Sequence, residues 1–383
     1  MSSIHFRFVA LAMAAAIAVT SCTDAKSAST ATSSKSSKTT TIAITISDEG
    51  CAPHDIAATA GPTTFTVRND NSAAVTEFEI LAAGKILGEV ENVTPGADRS
   101  FSLTLKEGSY VTYCPNGKKE KGTLEVAKAG TGTSGNAEAR KKAAAAYLAT
   151  VSAEADSLVA AALPFVAAVK AGDVDQAKSL FAVARYHYET IEPISESFGD
   201  LDPAIDARDG DAPAGTTWVG FHRIEKALWT DKSTAGMAPI ADQLAADIAR
   251  LKAQIATLEL EPSQIANGAV ELLNEVSASK ITGEEDRYSG TDLSDVAGNL
   301  RGAKAAFESL KPLLATDQGA LVADLERRFA DVSTALDRHK DPGATGNGYV
   351  LYPTLTADDT KALSTVVDAL AEPLSKVAAQ VLQ

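Results

Sequence analysis

The chain has 383 residues, enough for more than one domain, and 45% of them are hydrophobic, enough to bury real cores. Its formal charge is −15, of which a net −14 falls in residues 129–383. Such acidity repels a phosphate backbone and excludes nucleic acid as a partner, while it is compatible with cations as ligands.

The first 22 residues read as a lipoprotein signal peptide. Arg7 precedes Phe8–Val19, an apolar run too short to span a bilayer comfortably. It ends in Val19-Thr20-Ser21-Cys22, which resembles a lipobox, with Cys22 as the lipidated first mature residue. Residues 23–41 are almost all Ser, Thr, Ala and Lys, the composition of a flexible tether.

Residues 42–128 carry short β-prone runs at Thr41–Ser47, Thr63–Arg68, Glu77–Leu81, Phe101–Leu105, Ser109–Tyr113 and Thr123–Val126. Turn signals separate them, among them Gly61-Pro62, Pro95-Gly96 and Pro115-Asn116-Gly117. This spacing predicts a small β-sandwich. The strand ending at Cys114, followed by Gly122–Val126, looks like the C-terminal end of a cupredoxin. A blue-copper centre wants two His, one Cys and usually an axial Met. This segment has one histidine, His54, and no methionine. Two readings of Cys51 and Cys114 stay open: a disulfide, the default for an exported chain, or a thiolate–carboxylate metal site completed by Glu77, Glu79 or Glu91.

Residues 129–136 read as a linker, and from Ala137 to the end the pattern is helical. Helices are expected near 138–170, 173–191, 217–229, 238–259, 263–280, 292–315, 317–339 and 357–382, an antiparallel bundle by their lengths and short connections. In the segment Thr217–Trp229, His222 and Glu225 stand one helical turn apart and can share a metal ion, while Phe221, Ile224 and Leu228 repeat at core spacing. A surface His–Glu pair is the plainer alternative. Glu189 and Glu192 are also one turn apart, with Arg185 placed to pair with Glu189. Asp200–Asp209 reads as a loop dense in carboxylates, and Lys280–Leu293 as a polar connection before the next helix. Carboxylates and His–Glu pairs on facing helices are how bundles build interior metal sites.

Gly220–Trp229, Tyr188–Pro193, Ala204–Arg208 and Lys280–Leu293 together resemble the imelysin (peptidase-like) family, in the branch that carries a cupredoxin-like domain in front. The resemblance runs from about residue 42 to 383. It implies a cupredoxin-like sandwich followed by an all-α imelysin-like domain over 137–383. It further implies an iron-binding lipoprotein, exported to the periplasm or cell surface and anchored to the cell membrane. Its partners would be a membrane iron permease and a haem-containing peroxidase. Carried onto this chain, the metal residues are His222 and Glu225, with Glu189, Glu192 and Asp206 as further candidates. Cys51, Glu77 and Cys114 would hold copper or iron in the first domain. Ferric or ferrous iron suits such carboxylate and imidazole donors. One departure stands out. Relatives usually read Tyr-Ser-His-Thr-Asp-Leu where this chain has Tyr288-Ser289-Gly290-Thr291-Asp292-Leu293. Gly290 thus replaces a candidate ligand, which leaves Glu284 or Glu285 as substitutes or a weaker site.

Two other functions compete. One is a zinc metallopeptidase, although the helix-borne H-E-x-x-H that most such enzymes use is absent, with Arg223 and Lys226 in its place. The other is a non-catalytic surface protein whose cysteines form a structural bridge. The expectation is an iron carrier rather than an enzyme.

Overall fold

The computed structural model describes residues 39–128, 137–212, 215–314, 318–344 and 347–382. The expected signal peptide, Cys22, almost all of the tether and the 129–136 linker lie outside them. The described residues from 39 onward form one compact body.

Among the described residues, nine strands make the first half: β1 (Thr40–Ser47), β2 (Gly50–Ala52), β3 (Asp55–Thr59), β4 (Gly61–Asn69), β5 (Phe78–Ala82), β6 (Lys85–Val90), β7 (Asp98–Leu105), β8 (Gly108–Tyr113) and β9 (Lys121–Ala127). One sheet has the order β2-β1-β4-β7 and the other β3-β9-β8-β5-β6. Strand β1 runs parallel to β4, with Ile42 opposite Phe65 and Ile44 opposite Val67. Alternate residues of these strands point between the sheets, which is the period-2 rule at work. Ile44, Ile46, Phe65, Val67, Phe101 and Leu103 are all buried there. The rings of Phe65 and Phe101 stack with centroids 5.0 Å apart. Each such aromatic contributes about 1.5–3 kcal/mol by leaving water.

Three strands escape the sequence reading. Strand β3 is Asp-Ile-Ala-Ala-Thr, poor in β-branched residues, and it is held by its parallel pairing with β9. Strand β2 is only three residues long, and β6 carries Gly88 in mid-strand. All three depend on neighbours more than on their own composition.

The second half is helical: α1 (Ala137–Ala171), α2 (Val174–Ile191), α3 (Leu201–Asp206), α4 (Gly220–Lys226), α5 (Ala238–Ile255), α6 (Pro262–Ala278), α7 (Asp292–Leu310), α8 (Gly319–Asp337) and α9 (Ala357–Val381). Asp173 caps α2 by accepting from the Gln176 amide at 3.0 Å. The helix ends before Pro193, and a 3-10 turn over Glu192–Ser197 follows. The expected helix over 217–229 is shorter at its start, because Val219 is extended. At its end it opens into a wider π-type turn over Ala227–Asp231. The acidic stretch read as a loop contains α3, which exists because Leu201 and Ile205, four apart, both bury.

Helix α6 joins the halves. The side chain of Asn267 donates to the Ser102 carbonyl at 2.8 Å and accepts from the Ser102 amide at 3.3 Å. Ser102 lies on the face of β7 opposite Phe101 and Leu103, so this strand is covered on both sides. On its other flank α6 presses on the 3-10 turn at Gly268, where any Cβ would collide with the Pro193 carbonyl.

Candidate metal centre

The centre is built from α2, α3, α4, the start of α7 and the Lys280–Thr291 connection. Its assembly begins at Gly220, the first residue of α4, with φ +86. A Cβ there would collide with the carbonyl of Ile205. Only glycine lets α4 start against the end of α3, and that contact sets His222 beside Asp206. Phe221, Ile224 and Leu228 are fully buried and fix the helix.

His222 is 1% exposed and Glu225 0%. On one side of the imidazole, Nδ1 lies 3.1 Å from Glu225 Oε2 and 3.8 Å from Asp286 Oδ1. The other oxygen of Glu225 accepts from the backbone amides of Tyr288 and Ser289, at 2.9 and 2.7 Å. On the far side, Nε2 is 3.5 Å from Asp206 Oδ1 and 3.5 Å from Glu285 Oε1. It makes no hydrogen bond with either, although both carboxylates are within ion-pairing reach.

Arg185 stands at the middle of the carboxylates, fully buried. It pairs with Glu189 at 2.5 Å, Asp295 at 2.8 Å, Glu285 at 2.9 Å and Asp286 at 3.2 Å, and also with Asp206. Lys280 binds Glu189 at 2.9 Å and Glu192 at 2.7 Å, and Asn299 donates to both carboxylates. Burial and the Arg185 charge push the His222 imidazole down. The carboxylates of Glu225, Glu285 and Asp206 outweigh both and lift it to about 9. Burial pushes Glu285 up, but Lys280, His222 and Arg185 hold it well below the usual range. Burial raises Asp206, and raises Asp286 and Asp295 strongly.

Beyond Asp206 and Glu285 opens a cleft of about 310 Å³ between the β-sandwich and the helices. Its carboxyls are raised too, by burial first and then by one another: Glu196 to about 8, Asp202 and Glu91 to about 7.

The family model described as imelysin (peptidase M75) matches residues 143–377, which contain every residue of this centre. The chain belongs to the imelysin family. A cupredoxin-like domain model matches residues 10–126 ahead of the imelysin domain. Three relatives are 39% identical over 342 residues, covering 88% of this chain and 90% of theirs. They come from Escherichia coli O157:H7, Escherichia coli K12 and Shigella flexneri, and each is named iron uptake system component EfeO.

Several residues singled out in the imelysin sequence fall elsewhere than at the imidazole. Glu189 and Glu192 sit on Lys280, Asn299 and, for Glu189, Arg185, so their oxygens are taken by internal cations. Asp206 does reach His222. Glu285, not Glu284, is the nearby carboxylate of the connection. Glu284 is exposed and pairs with Arg287. Gly290 has φ +69, and Pro353 Cδ would lie 2.7 Å from a Cβ there, so the Tyr352-Pro353 turn fills the space of the missing histidine.

In the sandwich, Cys51 and Cys114 are joined in a disulfide, with Cα atoms 6.1 Å apart. This corrects the thiolate metal reading, since a sulfur bonded to sulfur is no thiolate ligand. Glu77 is grouped with Glu89 and Glu91 instead, their oxygens within 4.8 Å of one another. Sequence reasoning missed Asp286 and Asp295 as part of the centre. Their one local signal was that acidic residues flank the Tyr288–Leu293 block on both sides.

Proposed function

We propose that this chain is the extracytoplasmic iron-binding component of an iron-uptake system, holding iron as cargo at His222. The observation that carries the reading is the buried Nε2 of His222, which makes no hydrogen bond and is faced by Asp206 and Glu285 at the end of an acidic cleft. Imidazole nitrogen with carboxylate oxygens is a donor set that iron accepts. Glu225 takes a different part from the one its spacing suggests. It holds Nδ1, which fixes the ring and raises the basicity of Nε2, the usual role of a carboxylate behind a ligating histidine. Iron binding expels the proton that the imidazole carries in the metal-free state, and it competes with Arg185 for Asp206 and Glu285.

The names of the relatives support iron as the cargo and an uptake system as the setting. The other components would be a membrane iron permease and a haem-containing peroxidase. The Cys51–Cys114 bridge supports an oxidising compartment, and the Val19–Cys22 sequence supports anchoring by lipid in the periplasm or at the cell surface. The burial of His222 and Glu225 favours a carrier over a peptidase. A zinc hydrolase needs an open water position and a free general base, and both oxygens of Glu225 are engaged.

The test is metal analysis of the mature protein titrated with ferric, ferrous, cupric and zinc ions. The wild type is expected to take one iron in the helical domain. His222→Ala, and Asp206→Asn with Glu285→Gln, are expected to lose it with helicity intact. Unchanged iron in both variants would overturn the site. Zinc binding without iron, with peptide cleavage, would favour the peptidase.

A further inference from the structure

The cleft has a chemical bias and a closed end. Among the described residues lining it are ten carboxylates and one cationic side chain, Arg208. Glu89 and Glu91 enter from the β-sandwich; Glu196, Asp202 and Glu275 enter from the helical side. The β-side wall has an unmet partner. Glu89 is 5% exposed, and its Oε2 has no hydrogen-bond partner. A second buried atom without a hydrogen bond, His222 Nε2, lies just behind Glu285. Glu89 Oε2, and His222 Nε2 once its proton has left, are buried acceptors that a cation satisfies.

Arg208 stands between the cleft and that end. Its Nη1 donates to Glu285 Oε2 at 3.2 Å, its Nε to Asp211 at 3.1 Å, and its Nη2 lies 3.7 Å from Glu275. The other oxygen of Glu285 is the one that faces His222. Arg208 therefore occupies the cleft side of the carboxylate that an arriving ion must use. It lies two residues beyond Asp206, and the indole of Trp218 holds the intervening Ala207 carbonyl at 2.7 Å. The Arg208 side chain remains about a quarter exposed. Unlike the fully buried Arg185, it has solvent to swing into.

We propose that the interdomain cleft is the route by which the cation reaches His222, and that Arg208 is a latch that must leave Glu285 for the ion to pass. The proposal rests on the reading of His222 as the cargo site. The carboxylates of both domains replace the ion's water stepwise as it moves inward. The arginine supplies a competing charge that keeps weakly bound monovalent ions from settling on Glu285. The latch controls rates of loading and release, and Arg208 is not itself a ligand.

The experiment follows protein-bound iron after rapid mixing of the full mature chain with ferrous ion under argon, stopped at set times with chelator. Arg208→Gln is expected to load and release at least tenfold faster than wild type, with the same final stoichiometry. Glu89→Gln combined with Glu196→Gln is expected to load at least fivefold more slowly, again with unchanged stoichiometry. Loading and release within twofold of wild type in Arg208→Gln overturn the latch. An unchanged loading rate in the cleft double variant overturns the route. His222→Ala is run alongside: loss of its iron with unchanged rates in the other variants sinks the route alone. Iron uptake that survives His222→Ala, or no uptake by the wild type, sinks the cargo site with it.

Discussion

Replacing Arg185 by methionine removes the cation shared by Glu189, Asp206, Glu285, Asp286 and Asp295. Four of its partners lie 2.5 to 3.2 Å away, and all are at most 3% exposed. Methionine fills much of the volume, so the cost is electrostatic rather than a cavity. Leaving one side of a buried pair without its partner costs about 3–5 kcal/mol. The helical domain from Ala137 to Val381 unfolds with an entropy of roughly 0.5 kcal/mol/K, at about 2.1 cal/mol/K per residue. A loss of about 4 kcal/mol therefore lowers Tm by about 8 °C. The metal-free variant is expected to be worse off at pH 8 than at pH 5, because protonating the stranded carboxyls relieves it. Saturating iron, at a hundredfold over Kd, is expected to return up to about 2.7 kcal/mol, since the ion binds only the folded state. Scanning calorimetry of wild type and variant, with and without iron, reads all three. A metal-free Tm within 2 °C of wild type would refute the reasoning.

Other outcomes follow from the same geometry. His222 sits near 9 in the fold against about 6.5 when exposed, so its contribution is full below pH 6.5 and is lost as pH rises through 9. That contribution is about 3 kcal/mol. Urea unfolding of wild type and His222→Gln should differ more at pH 6 than at pH 9.5, and a pH-independent difference would count against the charged imidazole. Iron binding at pH 7.5 should release close to one proton from His222, seen by calorimetry in buffers of different ionisation enthalpy. Glu225→Gln should weaken iron binding about 10–100-fold without abolishing it, as expected for a group behind the ligand. Abolition would make Glu225 a ligand. Cys51 and Cys114 are separated by 63 positions, a loop whose closure stabilises the sandwich by about 4 kcal/mol on the chain-entropy view. Hydrogen exchange of the β8 and β9 amides should quicken on reduction, with the α1 and α2 amides unchanged.

What could be read from the sequence was what is local. Strands β1, β4 and β7 alternate cleanly, and the caps and apolar periods of α2, α6 and α9 mark those helices. The His222–Glu225 and Arg185–Glu189 pairs are also local, and both form. Their burial is what the sequence hides. From spacing alone Arg185 has one partner, Glu189. Three of its other partners, Glu285, Asp286 and Asp295, lie 100 or more positions away, and no spacing rule joins them. The same separation hides the ion pairs of Glu189 and Glu192, which the sequence offers as further metal candidates. Their partner Lys280 comes from a connection whose charges read as solvated. Strand β3 was hidden for a different reason, because its strand character comes from pairing with β9 rather than from its own residues.

Gly220 touches no ion and offers no donor, yet its bare Cα is what sets the imidazole against α3. Any side chain there separates His222 from Asp206 while leaving every ligand intact. A saturation screen for lost iron would score position 220 beside 222, and a ligand tally taken from that screen would run one too high. The distinction lies in rescue. Excess metal restores occupancy to a variant with a weakened ligand, whereas at 220 the two halves of the proposed chelate no longer meet.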